Sequence, residues 1–186
     1  MKSDGARILV AGLGDVFHGD AGLGVQVARR LLEEVPPPGV TVADVGVRSL
    51  HLAYAMLERP DLLLVIDAVR RGERPGTVYL IDVSELGCAA PHEVPPTCGL
   101  NAHTVVTACW TLGGKSPPIL LAGCEPELVG EGTALSGTVT LAQPKIERLV
   151  RATVGRWLGS AAGQPMLIDG IAKSSQDGVW FPSLDG

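Results

Sequence analysis

The sequence predicts an α/β domain, a three-layer sandwich with a mixed, mostly parallel five-stranded sheet between helices. Three observations carry this prediction. Short apolar runs alternate with amphipathic stretches through residues 7 to 159. One run, "DLLLVIDAV" (61 to 69), is apolar almost throughout, as a strand covered on both faces must be. The link that follows it, to residue 76, is too short for a crossover helix, so the next strand should run antiparallel to it.

The elements follow in order. "RILVAG" (7 to 12) is a buried first strand stopped by glycine. "AGLGVQVARRLLEEV" (21 to 35) places Val25, Ala28, Leu31 and Leu32 on one stripe and Arg29, Arg30 and Glu33 away from it, a helix ended by "PPPG". "VTVADV" (40 to 45) is the second strand, and "SLHLAYAMLE" (49 to 58) a helix with Ser49 at its cap. After the third strand (61 to 69) comes "GTVYLIDV" (76 to 83), the fourth. Residues 84 to 100 lack periodicity and carry three prolines, the mark of a long exposed loop. A helix over 101 to 112 precedes the fifth strand, "PPILLAGC" (117 to 124). The last helix, 141 to 159, turns Ile146, Leu149, Val150 and Val154 inward. Residues 1 to 159 thus form one domain. The Gly- and Ser-rich remainder, 160 to 186, holds Met166, Leu167, Ile168, Trp180 and Phe181 and is expected to dock as a tail.

The bulk composition narrows the function. The 186 residues carry a net charge of −5, with basic residues clustered only at Arg29–Arg30 and Arg70–Arg74, which argues against nucleic acid as the main partner. No apolar run reaches membrane-spanning length and no secretory pattern opens the chain, so a cytoplasmic protein with no membrane partner is expected. The cysteines Cys88, Cys98, Cys109 and Cys124 form no close pair and read as free thiols, with Cys109 and Cys124 in or near the core. Cys88, His92, Cys98 and His103 follow one another through one loop, but their gaps do not match compact zinc knuckles. The oligomeric state is left open.

The most informative stretch is "GLGDVFHGDAGLG" (12 to 24), five glycines between a strand and a helix. Gly12 and Gly14 fit the first two places of a dinucleotide fingerprint, and Asp44 ends the second strand where a ribose-binding acid would stand. Phe17, however, fills the third place, where a small residue must admit the helix. No Lys followed by Ser or Thr ends the run, so a nucleotide is not expected. What remains is a loop at the carboxyl end of a parallel strand, bearing Asp15, His18 and Asp20. Asp67 ends the third strand, and loops at such strand ends converge on one crevice. Asp20 reads equally as a cap of the following helix and as a functional ligand; Asp15 reads as a brace for the turn. Asp67, at the end of an apolar strand, reads as functional. Glu125, in "GCEPELVGEG" (123 to 132), is near enough to line the same crevice.

"VAGLGDVFHGDAGLGVQVARRL", "DLLLVIDAVRRGERPGTVYL" and "ILLAGCEPE" together resemble the nickel–iron hydrogenase maturation endopeptidases, in order and at matching spacing over roughly residues 7 to 157. The resemblance implies a twisted mixed sheet of five strands. It also implies removal of a C-terminal peptide from a hydrogenase large-subunit precursor, with nickel supplied by the substrate. Family members recognise nickel through the second acid of a loop pair, the third-strand aspartate and a histidine. Carried over by position, the first acid is Asp20, the second is Ala21, the strand aspartate is Asp67, and Cys98 stands in the histidine's place. Asp15 replaces the usual asparagine. The resemblance therefore gives Asp67 and Asp20 as catalytic residues and Asp67, Asp20 and Cys98 as the candidate metal set. Asp15, His18, Ala21, Glu125 and His103 line the cleft. A methyl group cannot replace a carboxylate ligand, whereas a thiolate binds nickel or zinc well. Three readings stay open: a peptidase with altered ligands, a non-catalytic relative that binds a protein or peptide, and an enzyme of changed chemistry using Cys98 with His92 or His103 as its activator.

Overall fold

A computed structural model describes residues 6–47, 52, 55–56, 58–82 and 117–159, together with the backbone of 172–173. The expected loop over 84–100, the helix over 101–112, Cys88, His92, Cys98, His103, Cys109 and the rings Trp180 and Phe181 lie outside the described residues.

The strands are β1 (Ile8–Leu13), β2 (Val40–Gly46), β3 (Leu62–Ala68), β4 (Val78–Asp82) and β5 (Ile119–Cys124), with a two-residue β6 (Ala172–Lys173). Their order in the sheet is β2-β1-β3-β5-β4-β6. β1 pairs in parallel with β2 and β3, β3 in parallel with β5, and β4 antiparallel with β5. β4 therefore does run opposite to β3, but the two are not neighbours, because β5 lies between them. β6 adds a parallel pairing to β4 at Ile81 and Asp82.

All six residues of β1 and of β5 are buried, as is β3 from Leu62 to Asp67. Alternate side chains supply two cores. Ile8, Val10, Leu62, Leu64, Ile66, Leu120 and Ala122 face one layer, shared with Leu23, Val27 and Leu31 of α1 (Leu23–Leu31) and Ile146, Val150 and Val154 of α2 (Gly137–Gly159). Leu9, Ala11, Leu13, Leu63, Val65, Ile119 and Leu121 face the other, where Leu52 and Met56 pack from a helical stretch. Each fully buried leucine contributes about 2 kcal/mol over an exposed one, which is why the apolar run of β3 seeks the middle of the sheet.

Two boundaries differ from the sequence reading. Leu32 falls just past α1 and is exposed, because the helix ends at Leu31 rather than continuing to Val35. α2 starts at Gly137, a turn before the expected 141, because the Ser136 hydroxyl accepts the Val139 N–H at 3.3 Å in the manner of an N-cap.

Candidate functional site

From β1 the chain leaves to β2 on one side and to β3 on the other, so the β1–β3 seam is the point where strand order reverses. Ligands of open α/β sheets bind outside the carboxyl ends of strands at such a seam. Here those ends are Gly14 and Asp67. Gly14 has φ +119°, and a Cβ built on it would lie 1.8 Å from the Ala21 carbonyl oxygen and 3.6 Å from Asp67 Oδ1. Positions 14, 21 and 67 therefore meet at one place. Gly24 makes the approach of α1 possible: a Cβ there would sit 2.1 Å from the Ile66 carbonyl oxygen and 2.4 Å from that of Leu13. Gly12 does the same from below, against the Gly24 carbonyl oxygen and Ala28.

Asp67 is 4% exposed, and its hydrogen bond among the described residues comes from the Ala68 N–H, 2.8 Å from Oδ1. Burial outweighs that single donor and pushes the carboxyl up to about 7. A carboxyl so placed exchanges its proton near neutrality, the property of a general acid or base.

Asp20 is fully buried and differently employed. Oδ2 accepts from the N–H of Glu127 (2.9 Å) and Leu128 (2.7 Å) and from Ser136 Oγ (2.9 Å), while Oδ1 accepts from the Ser136 N–H at 2.7 Å. It does not cap α1, whose N-cap is Gly22 without a side-chain bond. It ties the glycine loop to the segment after β5. Backbone bonds extend the tie: Asp20 N–H to Leu128 O (3.0 Å), Gly19 N–H to Gly132 O (2.8 Å) and Gly132 N–H to Phe17 O (3.0 Å).

Asp15 braces the turn, accepting the Phe17 N–H at 2.9 Å and meeting His18 Nδ1 at 2.7 Å. The Phe17 amide first, and the His18 ring after it, hold the Asp15 carboxyl below its ordinary range. His18 is exposed, and beside it Phe17 (66% exposed) and Leu128 (65%) present apolar surface on the zipped loops. Ala21 offers a methyl and a carbonyl and no side-chain donor atom. Glu125 is buried and occupied: it accepts from the N–H groups of Arg71 (2.8 Å) and Gly72 (3.2 Å) and from Tyr79 Oη (2.8 Å). Asp44, which stands where a nucleotide site would carry its ribose-binding acid, accepts from Arg29 Nε at 2.8 Å. Cys124 is buried in the core, its thiol pushed up to about 12 by desolvation. Ser136 and Tyr79, which the sequence reading did not single out, complete these two knots.

Among the described residues no group of three His, Cys, Asp or Glu side chains is placed to hold a metal, and no helix is long and apolar enough to cross a membrane. Among the described residues, Asp67 is the one buried carboxyl at the seam whose oxygens are not filled by several donors.

A doubly wound sheet with an ionisable aspartate at its switch point, framed by a glycine loop, defines an α/β protein whose site is built from strand-end loops. Comparison with known proteins makes the class specific. The hydrogenase maturation protease family model matches residues 25–153. The chain is 30% identical over 126 residues to the hydrogenase expression/formation protein HupD of Bradyrhizobium diazoefficiens, covering 67% of this chain and 65% of that relative. It is 26% identical to the hydrogenase 2 maturation protease of Escherichia coli K12, covering 78% and 90%. Among solved structures, the hydrogenase maturating endopeptidase HybD from E. coli superposes with a TM-score of 0.68 at 25% identity, covering 81% of this chain and 93% of that one. The maturation protease HycI from Thermococcus kodakarensis KOD1 superposes at 0.63 and 27%, covering 82% and 93%. The chain belongs to the hydrogenase maturation protease family.

Proposed function

We propose that this protein is an endopeptidase that removes the C-terminal peptide of a nickel–iron hydrogenase large-subunit precursor, with nickel arriving on the substrate and Asp67 as the acid–base group. The observation that carries the reading is Asp67 itself, a buried carboxyl at the switch point of a maturation-protease fold with its proton poised near pH 7. In the hydrolysis, water adds to the scissile carbonyl carbon and gives a proton to the Asp67 carboxylate. The C–N bond then breaks, and the leaving amine takes that proton. Asp20 holds the glycine loop against the 127–136 segment, so that residue 21 stays beside Asp67. Cys98, in the place of the family histidine, and His103 are the further candidates for contact with the substrate-borne metal.

A second reading rests on Ala21. Its methyl stands where the resemblance places an acid, which favours a relative that holds the precursor without cleaving it. Intact-mass measurement of nickel-loaded precursor incubated with this protein separates the two. The peptidase reading expects loss of a C-terminal peptide with the natural chain and none with Asp67→Asn. A stable complex with uncleaved precursor would sink it and establish the binder.

A further inference from the structure

The loop that joins β3 to β4 carries Arg70, Arg71 and Arg74, all exposed, the first of them three residues past Asp67. Arg70 Cα is thus no more than about 11 Å from that of Asp67. We propose that this loop recognises a carboxylate-rich segment of the protein substrate, with the three guanidinium groups as its anion-binding elements. The inference rests on the peptidase reading and concerns what the same site selects.

Three observations support it. First, none of the three arginines forms an ion pair among the described residues, and, unlike Arg59, Arg148 and Arg156, which also form none, they are clustered within five positions of one loop. Guanidinium forks left open on a surface are suited to bidentate contact with carboxylates.

Second, the loop is held in shape from beneath. Buried Glu125 accepts the Arg71 and Gly72 N–H groups and the Tyr79 hydroxyl, and its own carbonyl accepts the Gly76 N–H at 2.8 Å. The Arg74 carbonyl accepts from Thr77 N–H (3.1 Å) and Thr77 Oγ1 (2.7 Å). The Arg71 guanidinium lies 5.6 Å from the centroid of the Tyr79 ring. Charges displayed on a fixed backbone lose less freedom when a ligand binds.

Third, the charge is local. The chain as a whole is acidic at −5, yet residues 70 to 74 carry three arginines and one acid, Glu73, while the Glu125 carboxylate beneath them is buried and taken up by amide and hydroxyl donors. A local excess of positive charge on an acidic chain draws a short acidic segment to this loop.

The test follows arginine Nε–H signals by NMR while N-acetyl hexaglutamate amide or its hexaglutamine counterpart is added to the full chain. The glutamate peptide should shift Arg70, Arg71 and Arg74 saturably, with affinity falling as NaCl rises from about 20 to about 200 mM. Arg70→Ser/Arg71→Ser/Arg74→Ser should weaken binding at least about tenfold. If that variant melts early, Arg70→Ser/Arg74→Ser, which leaves the Arg71–Tyr79 stack in place, should still weaken it several-fold. Equal shifts with the glutamine peptide, or unchanged affinity in a folded variant, would overturn the proposal. Tighter binding of a hexathymidylate would also overturn it and assign the loop to nucleic acid. Neither peptide contains a scissile junction, so precursor cleavage without peptide binding sinks this inference alone, and binding without cleavage sinks only the peptidase reading.

Discussion

Ser136 donates to Asp20 twice, through its backbone N–H at 2.7 Å and its hydroxyl at 2.9 Å, across 116 positions of sequence. With the Glu127 and Leu128 amides, these bonds make one buried carboxylate the junction between the glycine loop and the start of α2. Asp20→Ala leaves several partly buried donors without an acceptor and should cost about 3 kcal/mol or more in urea denaturation. Asp20→Asn, which keeps part of the acceptor set, should cost less. A loss below about 1 kcal/mol for the alanine variant would show that the junction does not hold the loop.

Glycine is required at position 14 and not at position 130. Gly14→Ala forces a methyl to 1.8 Å from the Ala21 carbonyl oxygen at φ +119°, whereas nothing lies within 4 Å of a methyl at Gly130. The first variant should unfold at markedly lower denaturant. The second should stay within about 0.5 kcal/mol of the natural chain. Equal midpoints for the two would contradict the close approach at the seam.

The Asp67 carboxyl titrates at about 7 in the folded chain, above its ordinary 3.8, because burial disfavours its charge. The native state therefore holds this proton more tightly than the unfolded state. The stabilisation is complete below about pH 4 and is lost as pH rises through about 7. Asp67→Asn should flatten that part of the stability profile, and a carboxyl-carbon NMR titration of the natural chain should give a midpoint near neutrality. A midpoint near 4 would refute the assignment. In the peptidase reading, cleavage rises over the same interval as the carboxylate forms.

Glu125→Ala strands two amides and the Tyr79 hydroxyl, so it should cost about 2–3 kcal/mol, against about 1 kcal/mol for Tyr79→Phe. A double-mutant cycle should show the two losses to be non-additive. Strict additivity would mean that the hydroxyl bond contributes nothing.

Removing residues 160–186 strips β6 from the outer edge of β4. The amide exchange of Ile81 and Asp82 should quicken, and the melting temperature should fall by a few degrees. Unchanged exchange at both amides would show that the pairing adds no protection.

The strands were legible because each apolar run is bordered on at least one side by glycine or proline. Asp67 stood out because an acid closing so apolar a run needs a reason to be there. The employment of Asp20 and Glu125 was not legible, since their partners lie 46 to 116 positions away and are mostly backbone amides, which leave no mark in residue type. Ser136 did leave one, as a capping hydroxyl ahead of a helix, but the β-branched Thr138, Val139 and Thr140 disguised the first turn. The insertion of β5 between β3 and β4 was likewise hidden, because a short link gives the direction of the next strand and not its neighbour.

That insertion also orders the birth of the protein. β3 and β4 leave the ribosome close together, yet β3 has only β1 beside it, and β4 cannot join the sheet, until residues 119–124 emerge and slot between them. Until then the most apolar strand of the chain has an open edge, and closing it brings together segments more than fifty positions apart, a slow step for a polypeptide. The nascent chain is most exposed to aggregation and to chaperones in the interval between the synthesis of β4 and that of β5.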